Sequence, residues 1–300
     1  MISNSEWLIT VIALSAVILL DLTLAILRRH KETTIKEAAT WTLIYVGLAI
    51  IFGTLLPHWA SAQAREEFFA GWLTEYSLSV DNIFIFVIIL AKLRIEKEKQ
   101  QLALLYGILI AIVLRVILIS IGAAVIAKFA WVFFIFGAFL LYTAWHLFVE
   151  NDEDKEWKEN KLITKLRARG ASSFTIALVA LGVTDLIFAL DSIPAIFGLT
   201  QNVYVVITAN IFALMGLRQL YFLIGGLMSR LIYLGKGLSI ILAFIGVKLL
   251  FEAFHGISIH EIASVKIPHI SITVSLSFII TTLFVTTVAS LVVSGRKKGN

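Results

Sequence analysis

Nine long apolar stretches dominate this sequence and limit its fold more than any other feature. A membrane-spanning α-helix needs about 20 mostly apolar residues, and lipid offers no hydrogen-bond partner to a bare backbone, so helices are the expected form. The stretches are 6–27, 38–56, 70–91, 102–122, 129–149, 174–197, 203–226, 237–254 and 270–293. The sequence therefore predicts an all-α polytopic membrane protein in which residues 1–300 form a single transmembrane domain.

The composition agrees with a chain that lies in the lipid bilayer. Hydrophobic residues make up 59% of the 300 residues and charged residues only 15%, whereas a soluble domain carries about 25% charged residues. The chain has no cysteine, which excludes disulfides and thiolate metal sites, so any metal ligand must be oxygen or histidine. The net charge of +5 reflects basic loops, and we expect no nucleic-acid partner.

Basic residues are concentrated in alternate connecting segments. The segments after spans 1, 3, 5 and 7 and the C-terminal tail hold most of the Lys and Arg residues, while the other connections hold only Arg65, Lys128 and Lys266. Because positive residues stay on the cytoplasmic side, we expect the N-terminus outside and the C-terminus in the cytoplasm. Residues 150–173 are then a cytoplasmic linker between spans 5 and 6.

An internal repeat relates spans 3–5 to spans 6–8. TEYSLSVDNIFIF begins at Thr74 and TDLIFALDSIPAIF begins at Thr184, and aligning the threonines matches carboxylate pairs that have the same internal spacing. Two further matches follow in the same order, YGILIAIVLR with ANIFALMGLR and FGAFLLYTA with IGVKLLFEA. Under the predicted orientation the two units are inverted, an arrangement that recurs in secondary transporters with the substrate site near the midplane.

The repeat predicts how the chain is organised. Residues 70–149 form the first unit and 174–254 the second, while 6–56 and 270–293 are accessory spans. The fold class is thus about nine transmembrane helices with an inverted repeat of three plus three helices.

Ionisable residues inside the spans are the candidate functional groups, because each charge at the bilayer centre is costly. They are Asp21, Glu75, Asp81, Asp185, Asp191, Glu252, Arg115, Arg218 and Lys248. We expect Asp81 and Asp191 to form the centre of a cation site. Glu75 and Asp185 are further ligands or proton carriers, and the amide oxygen of Asn82 is a further ligand. The alternative is that these acids only neutralise the two buried arginines.

The interval between the paired carboxylates limits how they act. Six residues of ideal helix turn the second carboxylate by about 240° and raise it by about 9 Å, so the two do not share a helix face. Either each motif gives one residue to a common centre, or the helix breaks between them. Pro194 favours a break in span 6, because proline leaves the carbonyl of Leu190 without its helical partner.

Two arginines, an asparagine and an aspartate are further charged or polar positions in the spans. Arg115 and Arg218 either gate the path or serve as fixed counter-ions, and Asn210, two turns before Arg218, is a candidate for the same cavity. Asp21 lies near the inner end of span 1, where it is expected to reach headgroup water.

Two charged residues of span 8 and three glycines are expected to have structural roles. Lys248 and Glu252 are four residues apart in span 8, which predicts an ion pair along one helix face. The glycines at 137, 216 and 246 are expected to permit close helix packing.

A cluster of carboxylate, amide and hydroxyl oxygens suits hard cations such as Mg²⁺, Ca²⁺ and Mn²⁺, and buried carboxyl groups can also carry protons. We therefore expect a transported ion and no tightly bound cofactor. The residues alone do not choose among these metals.

At SLSVDNIFIF, TDLIFALDSIPAIFGLT and NIFALMGLRQLYFLI the sequence closely resembles the TerC/Alx family of bacterial membrane proteins, over nearly the whole chain. The resemblance implies a divalent-metal exporter of the bacterial inner membrane, related to the lysine-exporter superfamily. It also indicates manganese as the exported metal. It also implies links to tellurite resistance and to metal supply for secreted proteins. The residues that carry over as metal or proton sites are Glu75, Asp81, Asn82, Asp185 and Asp191.

These residues lead to three hypotheses about function. The leading hypothesis is Mn²⁺ export coupled to protons. An intramembrane aspartyl protease would pair two aspartates, but FAL precedes Asp191 and GVT precedes Asp185 where such proteases have Gly-x-Gly, so no enzymatic activity is expected. A non-transporting partner of other membrane proteins would leave the buried charges unexplained.

Overall fold

A computed structural model describes residues 2–27, 34–129, 131–149, 161–224, 231–259, 261–262 and 265–297. At residues 81, 84, 97–98, 224, 262, 265 and 295–297 the description covers the backbone but not the side chains. Of the predicted linker, residues 150–160 lie outside the described chain.

Helices make up nearly all of the described chain. They are α1 (Asn4–Leu27), α2 (Ile35–Leu55, extended by the 3₁₀ turn Leu56–His58), α3 (Ala62–Lys92), α4 (Lys97–Lys128), α5 (Val132–Val149), α6 (Lys161–Ala168), α7 (Ser173–Phe197), α8 (Val203–Met215), α9 (Leu217–Ile224), α10 (Leu234–Gly256) and α11 (Ile272–Lys297). The strands β1 (Glu261–Ile262) and β2 (Val265–Lys266) pair antiparallel between α10 and α11.

Nine segments of the described residues are long and apolar enough to cross a membrane. They coincide with the predicted stretches, which confirms the all-α polytopic class. The seventh segment differs from the prediction of one continuous span, because α8 ends at Met215 and α9 begins at Leu217.

Short polar side chains determine where several helices begin. The hydroxyl of Thr34 accepts a hydrogen bond from the backbone N–H of Glu37 at the start of α2. Ser61 and Ser172 cap α3 and α7 in the same way. Each cap satisfies one of the backbone donors that the first turn of a helix leaves free.

The helices that the repeat alignment equates pack against one another. These pairs are α3 with α7, α4 with α8, and α5 with α10, and α3 also contacts α8 as α4 contacts α7. This pattern is unchanged when the two units are exchanged, as a two-fold axis between them requires. The inverted orientation of the units and the division of the chain into repeats and accessory spans stay predictions.

Two glycines allow the closest approach between α5 and α10. A Cβ atom on Gly137 would lie 2.9 Å from the carbonyl oxygen of Gly246, and one on Gly246 would lie 3.1 Å from the carbonyl oxygen of Gly137. The alignment FGAFLLYTA/IGVKLLFEA equates these glycines. The expected packing role is confirmed for both, and at Gly216 an added Cβ would lie 3.3 Å from the Tyr76 ring.

We predict that Gly246→Ala lowers the thermal midpoint of the detergent-solubilised protein. The new methyl group would press on a backbone carbonyl that cannot turn aside, and overpacking of this kind costs about 1–3 kcal/mol. Gly47→Ala is the matched control, because an added Cβ there meets nothing within 4 Å. Equal midpoints for the two variants would show that the α5–α10 contact is looser than described.

Candidate functional site

A cluster of buried polar side chains surrounds Arg115 of α4, which is 1% exposed. The guanidinium binds Asp185 through two hydrogen bonds, from Nε to Oδ2 and from Nη2 to Oδ1, both 3.0 Å. Nη1 forms an ion pair with Glu75 and donates to Asn210 Oδ1 at 3.1 Å and to Ser192 Oγ at 3.3 Å. Side chains from α3, α7 and α8 thus meet on one arginine of α4.

This cluster joins the first carboxylate of each motif. Glu75 and Asp185, which the alignment equates, are both counter-ions of Arg115. Two carboxylates and one guanidinium leave one formal negative charge in a buried region when both acids are ionised. Oε2 of Glu75 accepts no hydrogen bond from the described residues.

Asp191 has different surroundings from Asp185, although both lie on α7. It lines a cavity of about 380 Å³, and its Oδ1 accepts a hydrogen bond from the hydroxyl of Thr143 at 3.3 Å. Asn82 of α3 and His146 of α5 line the same cavity. Within the described side chains, Asp191 forms no ion pair. We call this the Asp191 cavity.

The cavity brings together residues of both predicted repeats. Asn82 comes from the first motif and Asp191 from the second, as expected for a site between the units. Asp81 precedes Asn82 in α3, but its side chain lies outside the described residues, so its predicted place at the centre stays a prediction. Among the side chains that are described, no three His, Cys, Asp or Glu groups converge as a metal cluster.

Both helices that carry the paired carboxylates are continuous between them. α3 runs unbroken through Glu75 and Asp81, and α7 runs unbroken to Phe197 with Pro194 inside it. The alternative in which the helix breaks between the carboxylates is therefore wrong. On the continuous α7, the rotation of about 240° directs Asp185 to Arg115 and Asp191 to the cavity.

Arg218 is the counter-ion of a different acid. Its Nη2 donates to Oδ1 of Asp21 at 2.6 Å, so a buried ion pair ties the first helix to α9. The Asp21 side chain is 14% exposed and its carboxylate binds this arginine, so the expectation that it reaches headgroup water stays a prediction. Asn210, which was predicted to share a cavity with Arg218, bonds to Arg115 instead.

Some residues of the site were not predicted. Ser192 follows Asp191 and contacts Arg115, and Thr143 contacts Asp191. The alignment offers a signal for Ser192, since it equates this residue with Asn82. No comparable pattern marks Thr143, because a single hydroxyl in an apolar helix is common.

The ion pair expected between Lys248 and Glu252 is absent, and both residues are described. Nζ of Lys248 donates instead to Oγ of Ser275 on α11, at 3.3 Å. The lysine therefore turns from its own helix toward a neighbouring one.

In the part of the chain that the structure describes, nine apolar helices with charged groups buried between them define a multi-pass membrane protein. Residues 60–298 match the family described as "Integral membrane protein TerC family", and the chain belongs to that family. This confirms the resemblance seen in the motifs.

Named relatives support the assignment. The chain is 40% identical to "Uncharacterized membrane protein Rv2723" of Mycobacterium tuberculosis (strain ATCC 25618 / H37Rv), over 96% of its own length and 79% of the relative's. It is 33% identical to "Putative membrane-bound redox modulator Alx" of Escherichia coli (strain K12), over 83% of its length and 86% of the relative's. No solved structure matches the chain.

Proposed function

We propose that this protein is a membrane transporter that exports a divalent metal ion, Mn²⁺ above all, in exchange for protons. The Asp191 cavity carries the proposal. It holds a carboxylate that no basic side chain neutralises among the described residues, whereas Glu75, Asp185 and Asp21 each pair with an arginine. A charge left in this state inside a membrane is a functional candidate by default.

The groups around the cavity suit a hard cation. A carboxylate, an amide oxygen and a hydroxyl are ligands that Mg²⁺, Ca²⁺ and Mn²⁺ accept, and imidazole extends the set toward transition metals. His146 lines the same cavity and so favours Mn²⁺ over Ca²⁺ and Mg²⁺. The family resemblance of the motifs points to the same metal.

The Arg115 cluster supports the proton part of the proposal. Its two carboxylates exceed its one guanidinium, so a proton taken up there removes a buried charge. Asp185 and Asp191 lie on the same helix, which connects the proton-accepting cluster to the cation cavity. Metal and proton would then bind to separate groups of one path.

We place the protein in the bacterial inner membrane, with the N-terminus outside and the C-terminus in the cytoplasm. The basic residues of alternate connections support this orientation. A reporter that is active only in the cytoplasm should be active when it is fused to the C-terminus. Activity there of a reporter that works only outside the cytoplasm would reverse the proposed orientation.

The purified protein in liposomes tests the proposal. With an acidic interior, we expect radiolabelled ⁵⁴Mn²⁺ to enter faster than in protein-free liposomes, because protons leaving the vesicle drive the exchange. Collapse of the pH gradient with an ionophore should slow the uptake. Uptake equal to that of empty liposomes would reject transport, and uptake indifferent to the gradient would reject proton coupling.

The name of the Alx relative suggests a second candidate, a modulator of the redox state at the membrane. This chain has no cysteine, so thiol–disulfide exchange by its own side chains is excluded. We propose no enzymatic activity, and a redox effect would follow indirectly from metal export. A non-transporting partner protein remains the alternative, and it predicts no Mn²⁺ uptake by the purified chain.

A further inference from the structure

A second polar cavity, of about 410 Å³, lies where α3 begins, α7 ends and α11 begins. On α10 it is lined by Lys248 and Glu252, whereas the Asp191 cavity is lined by Leu238 and Leu242 nearer the start of that helix. The two cavities therefore lie toward opposite ends of α10. We call the second one the Lys248 cavity.

The Lys248 cavity contains buried charges of both signs. Glu67 is 9% exposed and Lys248 is 8% exposed, and Glu252 joins them at the cavity wall. The Glu67 carboxylate accepts hydrogen bonds only from neutral groups of the described chain, the hydroxyl of Thr200 at 2.5 Å and the amide of Gln63 at 2.7 Å.

The lysine is near both acids but is bound to neither. All three side chains line the same cavity, yet the hydrogen bond of the ammonium within the described chain goes to Ser275. Two carboxylates against one ammonium leave one negative charge in a cavity that has space for an ion and its water. The unsatisfied charge is of the sign that attracts a cation.

The internal repeat relates this cavity to the Asp191 cavity. Aligning FGAFLLYTA with IGVKLLFEA equates Phe139 with Lys248 and Thr143 with Glu252. Phe139 and Thr143 line the Asp191 cavity. The same two positions of corresponding helices thus line the two cavities, one carrying neutral side chains and the other a lysine and a glutamate.

We propose that the Lys248 cavity is a second binding site for a hard divalent cation, in which Lys248 competes with the metal for Glu67 and Glu252. The proposal rests on the proposed transport function, and it places this site at the opposite end of the path from Asp191. Between transport events the ammonium would partly neutralise the acids. Because it opposes an arriving cation, the site would bind metal weakly and release it readily.

Mn²⁺ binding to the full-length protein in detergent tests this site, with the EPR signal of free Mn²⁺ as the measurement. A background that combines Asp191→Asn with Asp81→Asn removes both carboxylates expected at the first site, so that binding reports on the second. In that background, Lys248→Gln should tighten Mn²⁺ binding at least about tenfold, because it removes a like charge from a poorly screened site. Adding Glu67→Gln or Glu252→Gln should abolish the gain.

The matched control is Glu66→Gln. Glu66 is next to Glu67, but its carboxylate accepts a hydrogen bond from Thr273 at 2.6 Å and does not line the cavity, so it should leave Mn²⁺ affinity unchanged. Should Lys248→Gln not purify as a folded protein, Glu252→Gln alone must weaken binding. An affinity within twofold of the background after Lys248→Gln, or equal effects of Glu66→Gln and Glu67→Gln, would overturn the site.

The outcome is independent of the transport assay. If the wild-type protein fails to move Mn²⁺ in liposomes but these variants change Mn²⁺ binding as expected, the proposed function falls and the cation site stands. If transport is found and the variants leave Mn²⁺ binding unaltered, the proposed function stands and the second cation site falls.

Discussion

Replacing Asp191 with asparagine should reduce ⁵⁴Mn²⁺ transport to the level of protein-free liposomes while the protein still folds. Asparagine keeps the shape of the side chain, and its oxygen can still accept the hydrogen bond from Thr143. The change removes the negative charge that would attract the cation. No basic side chain of the described chain is left unpaired, because Asp191 takes part in no ion pair there.

Glu96→Gln is a suitable control for this experiment. Glu96 also carries a carboxylate, but its side chain is 65% exposed and pairs with Lys99 at the start of α4. Such surface pairs contribute about 0–1 kcal/mol, so transport and thermal stability should match those of the wild type. Wild-type transport by Asp191→Asn at equal protein levels would remove the Asp191 cavity from the mechanism.

Replacing Arg115 with methionine should cause the largest loss of folded protein among substitutions at the site. The change leaves the carboxylates of Glu75 and Asp185 buried without a counter-ion, and breaking a buried pair costs about 3–5 kcal/mol. Arg115→Lys should recover little, because an ammonium cannot form the two parallel hydrogen bonds that Asp185 receives. The yield of monodisperse protein and its thermal midpoint measure the effect.

A triple variant separates charge from packing. Combining Arg115→Met with Glu75→Gln and Asp185→Asn removes all three charges, so the thermal midpoint should return toward the wild-type value. Transport should stay absent, because the proton-accepting acids are gone. If Arg115→Met alone melts like the wild type, the cluster is more hydrated than its burial indicates.

The spans could be predicted because membrane crossing depends on local composition. Runs of apolar residues identify all nine segments among the described residues. The ends of the helices were harder to predict: span 4 was predicted at 102–122, whereas α4 extends over Lys97–Lys128. A helix continues past the bilayer wherever polar residues keep the backbone bonded, and hydrophobicity does not detect that part.

The site was predicted in part. The spacing of Asp185 and Asp191 predicted that they do not share a face of an unbroken helix, but Pro194 left a broken helix as the alternative. The sequence could not predict which acid pairs with which arginine, because that depends on how the helices pack against one another. For this reason the pairing of Arg218 with Asp21 became clear only from the structure.

The contacts of Arg115 also have a mechanical consequence. One guanidinium holds Glu75 of α3, Asp185 of α7 and Asn210 of α8, so these helices and α4 cannot slide past one another without breaking buried hydrogen bonds. Any displacement that leaves these bonds intact must therefore involve other helices, such as α5, α10 and α11, which contribute no described side chain to the Arg115 cluster.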